Sequence, residues 1–191
     1  MLFVAVVAVG LAADLITKSA VFAVNFDPRD HAVSYWWIDG ILGIQTSFNG
    51  GALFGMFQGG SWWLAGLSLI ALLAILVWLF VCRMAVSRFL TVTLAMISSG
   101  ILGNLYDRVG LGYVPEFPEL VRYHVRDWIH FRLPGVPLFD PWPNFNIADS
   151  LLVSGAVMLF VFALFFPDLQ PDGSPAGEPE QDPAHPADGT S

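Results

Sequence analysis

The sequence predicts an all-α membrane protein: four transmembrane helices, a small extracytoplasmic β-rich surface element and an irregular outer loop. Two observations lead there. Hydrophobic residues make up 55% of the 191 positions and charged residues only 13%, about half the charged share of a soluble domain. The apolar residues also gather in four runs, each of roughly the 17–25 residues that carry a helix across a hydrocarbon core. Such a composition excludes a disordered chain, a nucleic-acid binder and an ordinary cytosolic enzyme. The formal charge of −8, from 16 acids against 8 bases, argues against binding phosphate backbones or anionic lipid. A single cysteine, Cys82, leaves no disulfide framework and no cysteine-based zinc site.

The first run, residues 2–24, is interrupted by Asp14 and Lys18. Val21 and Ala23 satisfy the small-residue rule of a signal-peptide cleavage site. No basic segment precedes the run, however, and two charges fall inside it, so it reads as a retained helix. The loop 25–61 holds Trp36, Trp37, Phe48, Phe54 and Phe57. Its stretch Ile41-Leu42-Gly43-Ile44-Gln45 alternates as short strands on a membrane surface do. The second run, 62–82, carries no charge. The short connector after it, with Arg83 and Arg88, fits the basic loops that stay cytoplasmic. That places both termini inside and both long loops outside, although the second long loop carries Arg108, Arg122, Arg126 and Arg132. The third run, 89–106, has Gly100 and Gly103, suited to close helix packing. The following loop is rich in proline and aromatic residues over 113–143 and reads as interfacial. The fourth run, 147–166, is broken only by Asp149. Residues 167–191 hold six acids, six prolines and no lysine or arginine. The membrane domain is therefore 1–166, and 167–191 is a disordered cytoplasmic tail.

Charges inside membrane helices are costly and point to function. With the first residue inside, Asp14 lies ~20 Å along the first helix and Lys18 one turn further. Asp107 lies ~28 Å beyond Arg88 at the helical rise per residue, and Asp149 is in the first turn of a helix that starts outside. All four crowd near the outer face. Asn104-Leu-Tyr-Asp107 and Asn146-Ile-Ala-Asp149 repeat one spacing, which sets each Asn and Asp on one helix face. The third and fourth helices run antiparallel, so both pairs meet at one level. Asn49-Gly50-Gly51 adds a further amide on a flexible backbone.

Plainer roles stand beside this reading. Asp14 and Lys18 neutralise each other as a buried pair, Asp107-Arg108 caps and anchors a helix end, and Trp62, Trp63 and Trp78 are interface anchors and lipid-facing bulk. His124 and His130 have no cysteine or helical HExxH frame with which to hold a metal. His31 and His185 face solvent, and no serine or cysteine sits beside a histidine as a nucleophile. The chemistry that remains is a membrane-embedded aspartate pair sharing a proton: one member draws a proton from water while the other polarises a carbonyl. A proton or ion conductor is a rival, but it calls for polar residues along the whole span. A noncatalytic scaffold has no need of both Asn-x-x-Asp pairs.

Five blocks carry a resemblance: Asp14-Leu-Ile-Thr-Lys18, Asn49-Gly-Gly-Ala-Leu-Phe-Gly55, Gly103-Asn104-Leu-Tyr-Asp107-Arg108, His124-Val-Arg-Asp127-Trp-Ile and Phe145-Asn146-Ile-Ala-Asp149-Ser150. In this order, on four spans, the chain resembles the bacterial lipoprotein signal peptidases over residues 10–165. The resemblance implies an intramembrane aspartic endopeptidase of the bacterial inner membrane. It would remove signal peptides from prolipoproteins, cutting just before a cysteine that already carries a diacylglyceryl group. It implies Asp127 and Asp149 as the catalytic pair, with Asp14, Lys18, Asn49, Gly51, Asn104, Asp107, Arg108 and Asn146 as the polar shell. It also implies no cofactor or metal, the lipidated precursors and membrane lipid as partners, a monomer, a loop after Asn49 lying over the site, and inhibition by globomycin.

The departures from the family pattern are specific. Arg126 stands where an apolar residue is customary, Leu53 where a small one is, and the acidic tail is extra. The stretch from Asp127 to Asp149 is longer than usual, and so is the interval from Arg108 to the catalytic acid. Counted without an insert, that interval lands on Glu116, between Pro115 and Pro118 in an exposed turn. With residues 116–123 looped out, it lands on Asp127. Val125 and Ile129 flank Asp127 with strand alternation, and a strand aims a side chain more rigidly than a loop. Asp127 is therefore chosen. Truncation after Phe166 is expected to leave peptidase activity and thermal stability nearly unchanged, because the tail buries little; a large loss of either in the purified, truncated protein would contradict this.

Overall fold

A computed structural model describes residues 1–27, 32–51, 61–82 and 87–165. His31, Leu53, Phe54, Phe57, Arg83, Phe166 and the acidic tail lie outside the described residues. Four helices are long and apolar enough to cross a membrane. They are α1 (Leu2–Asn25), α2 (Ser61–Leu76, continued by a π-helical turn at Val77–Val81), α3 (Arg88–Arg108) and α4 (Ile147–Phe165). A small antiparallel sheet sits at one end of the bundle, with strands β1 (Tyr35–Ile38), β2 (Leu42–Asn49), β3 (Val125–Phe131) and β4 (Trp142–Phe145) in spatial order β1-β2-β3-β4. The expected class holds: a helical membrane protein with a small β element.

Helix α3 is the hub. It packs against α1, α2 and α4, and 56% of its apolar window is buried, against 11–17% for the other three. Its inward residues explain why: Thr93, Ala95, Ser98, Ser99, Gly100 and Gly103 are small or weakly polar and all buried. In lipid there is no hydrophobic drive between helices, so small residues that let backbones approach closely decide which faces meet. A Cβ on Gly100 would collide with the Ala148 carbonyl oxygen and the Leu152 side chain of α4. One on Gly103 would meet Asp14 and Ala148, and one on Gly155 would meet Ile97 and the Thr93 carbonyl. Ser87 caps the start of α3, its hydroxyl accepting from the Leu90 N–H at 3.0 Å. The other helices turn Leu69, Ile70, Leu73, Val153, Val157, Phe160 and Leu164 outward, as lipid contact requires.

Two apolar cores hold the ends. Phe3, Leu79, Leu90, Leu94 and Phe162 pack at the end away from the sheet. At the sheet end, Phe22 of α1 gathers Phe117, Trp128 and Ile129, with Phe26 and Phe48 against them. Their rings meet edge-to-face at 5.1–5.8 Å, within the favoured range for aromatic pairs.

The second long loop supplies half of the sheet, and the alternation around Asp127 is the strand β3. β3 is one of the two inner strands and is buried along nearly its whole length. Its alternation is masked because Arg126, Asp127 and His130 are covered as thoroughly as Val125 and Ile129. Pairing brings Asn49 opposite Val125 and Ser47 opposite Asp127. On the other side Phe145 pairs with Ile129, so β4 delivers the chain directly to Asn146 and the start of α4. Replacing Gly100 by alanine is expected to destabilise the protein by about 1–3 kcal/mol, the usual effect of overpacking; thermal unfolding in detergent micelles, compared with wild type, measures it.

Candidate active site

The site is built where α1, α3, α4 and the sheet meet. Its foundation is Lys18, which is fully buried. Its Nζ lies 2.7 Å from Asp14 Oδ2 and 3.1 Å from Asp107 Oδ2. It also donates to Asn104 Oδ1 at 3.3 Å and to the Gly103 carbonyl at 3.5 Å. The pairing within α1 is thus present but not self-contained, because a third charge from α3 shares the ammonium. Asp107 and Arg108 stand at the end of α3, and Asn104 and Asp107 share its buried face, so the Asp107 carboxylate turns inward. Asp107 is also held by Arg126, whose Nε and Nη2 reach Oδ1 at 2.9 and 2.8 Å and whose backbone N–H donates to Oδ2 at 3.2 Å.

Three asparagines stand between this base and two carboxylates. Asn104 accepts from Lys18, which turns its amide nitrogen to Asp149 Oδ1 at 2.8 Å. Asn146 precedes the first turn of α4. Its Oδ1 accepts the Asp149 N–H at 2.9 Å, while the Asp149 carboxylate accepts the Asn146 N–H at 3.2 Å. This is a capping box, satisfying two backbone donors reciprocally. With its oxygen so engaged, the Asn146 amide donates to Asp127 Oδ1 at 2.7 Å and to Asn104 Oδ1 at 3.1 Å. Asn49, at the end of β2, accepts the Gly51 N–H at 3.0 Å in a local side-chain turn and donates to Asp127 Oδ2 at 3.1 Å. Asp14 reaches across to satisfy the Ala148 N–H of α4 at 2.9 Å, one of the donors that a helix start leaves free.

Asp127 and Asp149 therefore converge from a strand and a helix, linked through Asn146 and Asn104. Asp127 is 1% exposed. Burial first, and the Asp149 charge second, hold its carboxyl well above the usual carboxylate range; Asn49, Lys18 and Asn146 pull the other way. Asp149 lines a cleft of about 450 Å³ together with Asn49, Gly51, Arg108 and the strand β4. The cleft's apolar lining comes from Leu152 and Val153 of α4 and from Trp142, Pro143 and Phe145. Arg108 sits within electrostatic reach of Asp149, Asp127 and Asp107. Among the described residues, no group of three His, Cys, Asp or Glu side chains is placed to hold a metal ion.

All ten residues singled out in the sequence are thus gathered at this end of the bundle, nine in one hydrogen-bonded and ion-paired network, with Arg108 in the cleft beside it. Glu116 is exposed and lines a separate cavity with Phe22, Phe26 and Arg126. Arg126 is the site residue that reading the sequence by itself did not place. Its signal was a base in an otherwise apolar strand position, and Gly112 leaves it room, since a Cβ there would collide with Asp107 and meet Arg126.

A family model described as signal peptidase II matches residues 6–165. The chain belongs to the signal peptidase II family. It is 44% identical over 160 residues to a lipoprotein signal peptidase of Rhodopirellula baltica, covering 84% of this chain and 70% of that one. It is 33% identical over 177 residues to a lipoprotein signal peptidase of Rhodococcus jostii, covering 93% of this chain and 78% of that one. A solved bacterial membrane enzyme shares the fold with a TM-score of 0.70 at 24% identity, over 91% of this chain and 94% of that one. As a signal peptidase II, the protein is a multi-pass membrane peptidase.

In this family member, Lys18→Met is expected to destabilise the fold by about 3–5 kcal/mol, because it strands buried carboxylates. Asp14→Leu/Lys18→Met is expected to lose less, since Asp107 keeps Arg126. Unfolding in detergent micelles separates the two; equal losses would contradict the shared-ammonium picture.

Proposed function

We propose that the protein is an aspartic endopeptidase of the bacterial inner membrane. It removes the signal peptide from diacylglyceryl-modified prolipoproteins, cutting just before the lipidated cysteine, with Asp127 and Asp149 as the catalytic pair. The observation that carries this reading is the convergence of the two carboxylates under three amides whose orientations are each fixed. The relatives' name, lipoprotein signal peptidase, supports the substrate class.

Asp127 is the more buried carboxyl and keeps the shared proton. Asp149, open to the cleft, takes a proton from water as the water oxygen attacks the scissile carbonyl. Asp127 gives its proton to the carbonyl oxygen, forming a neutral gem-diol. Asp149 then protonates the leaving nitrogen as the C–N bond breaks, and Asp127 recovers its proton from a gem-diol hydroxyl. Arg108 steadies the negative charge on Asp149. The apolar wall of Leu152, Val153, Trp142 and Phe145 suits acyl chains, and the Asn49–Gly51 turn borders the peptide's path. The basic connector after the second span supports cytoplasmic termini, with the site at the outer leaflet. The enzyme works as a monomer, and globomycin inhibits it. The domain comprises 1–166, with 167–191 as an accessory tail.

Asp127→Asn and Asp149→Asn are each expected to lower cleavage of a diacylglyceryl-modified precursor by roughly 10³-fold or more while precursor binding persists. Glu116→Gln is expected to keep most activity. Activity also declines as pH rises and Asp127 loses its proton. Asn49→Ala removes a donor that favours the Asp127 carboxylate, so the alkaline limb of kcat is expected to move to higher pH. Retained cleavage by either asparagine variant would sink the aspartic mechanism.

A further inference from the structure

The second loop brings two consecutive aromatic residues, Tyr123 and His124, against Trp62 and Gly50 just before β3. The antiparallel register of β2 and β3 ends with Asn49 opposite Val125. One step further, Gly50 faces His124. A Cβ on Gly50 would lie 2.6 Å from His124 Nε2, 2.9 Å from Cε1 and 3.0 Å from Cδ2, so the imidazole lies flush against the Gly50 backbone. Gly50 is the centre of the turn in which Asn49 Oδ1 accepts the Gly51 N–H at 3.0 Å while its amide nitrogen donates to Asp127 Oδ2 at 3.1 Å. The preceding residue, Tyr123, packs its ring 5.0 Å from Trp62 at the start of α2 and lies against Gly110, which turns the chain out of α3 at φ +84. The loop is stiffened internally by Arg122, which pairs with Glu119 at 2.6 Å and lies 4.5 Å over the Tyr113 ring.

We infer that His124 is a positioning residue for the dyad: its ring is a backstop for Gly50, fixing the turn that aims the Asn49 amide at Asp127. The inference rests on the aspartic reading of the site. The ring acts by its shape, and burial pushes the imidazole below the usual histidine range, so it stays neutral at neutral pH. The Gly50 backbone is not in the left-handed region, so an alanine there meets the ring and no conformational penalty.

Displacing a group at a reacting centre by about an ångström lowers turnover by up to roughly 10²-fold. Four variants of the full-length enzyme in detergent, assayed on a diacylglyceryl-modified precursor, test the inference. His124→Ala is expected to lower kcat about 10- to 100-fold, with KM and melting temperature nearly unchanged, and His124→Phe to restore most of it. Gly50→Ala is expected to lower kcat comparably, and Gly50→Ala/His124→Ala to be more active than Gly50→Ala, since the smaller residue frees the space the methyl needs. Losses that multiply in the double variant, or a phenylalanine variant no better than alanine, overturn the positioning role. Asp127→Asn run alongside separates the two ideas. If it is inactive while the Gly50 and His124 losses multiply, only the positioning role fails; if it is active, the dyad itself fails.

Discussion

A single buried ammonium organises the end of the bundle where the polar network sits. Lys18 is fully buried, so its three donors are shared among Asp14, Asp107, the Asn104 amide oxygen and the Gly103 carbonyl. A charge in this setting is tolerated only when its partners have good geometry. That demand fixes the rotation of α1 against α3 more strictly than methyl packing does, because sliding either helix strands an ion. It also turns Asn104: once its oxygen faces Lys18, its nitrogen must face Asp149.

The same constraint recurs in the other two amides. A carboxamide has one accepting and one donating end, so engaging the oxygen directs the nitrogen. Asn146 is engaged by the first turn of α4 and Asn49 by the Gly51 N–H. The two aspartates are therefore held by groups whose own orientations come from a helix cap, a tight turn and an ion cluster. The groups around them are mostly donors, which suits carboxylates, while burial and the second charge raise the Asp127 carboxyl above the usual carboxylate range. Amides that favour the anion thus oppose burial that favours the acid, the balance that the proposed proton sharing requires.

The position of this cluster follows from what its neighbours can tolerate. Toward the far end, α3 offers hydroxyls and small residues, with an apolar core around Leu90 and Leu94. Toward the sheet end, strands cover the ion cluster and the aromatic group around Phe22 seals its flank. The cleft between β4 and α4 is lined by Asp149 and Arg108 together with apolar side chains of both elements. Such a cleft admits a molecule with a polar backbone and a greasy appendage, which accords with a lipidated peptide as substrate.

Much of the architecture was legible in the linear chain because it rests on local rules. Four runs long enough to cross hydrocarbon mark four helices, and the repeated Asn-x-x-Asp spacing puts each amide and acid on a shared face. What no spacing carries is which charge meets which across elements far apart in sequence. Nothing between positions 18 and 107 says that Lys18 is shared by two helices, and nothing near Arg126 says that its guanidinium closes on Asp107. The chain alone offered Glu116 and Asp127 as rival acids in the second loop. Strand pairing sets Asp127 beside Asn49 and Asn146, while Glu116 stays exposed over a different cavity. Sequence determined the spans and the depth of the polar groups, since burying apolar length and avoiding lone charges are local costs. The pairing of ions was decided only by the tertiary fold, because those energies depend on distances of a few ångströms between segments that folding alone brings together.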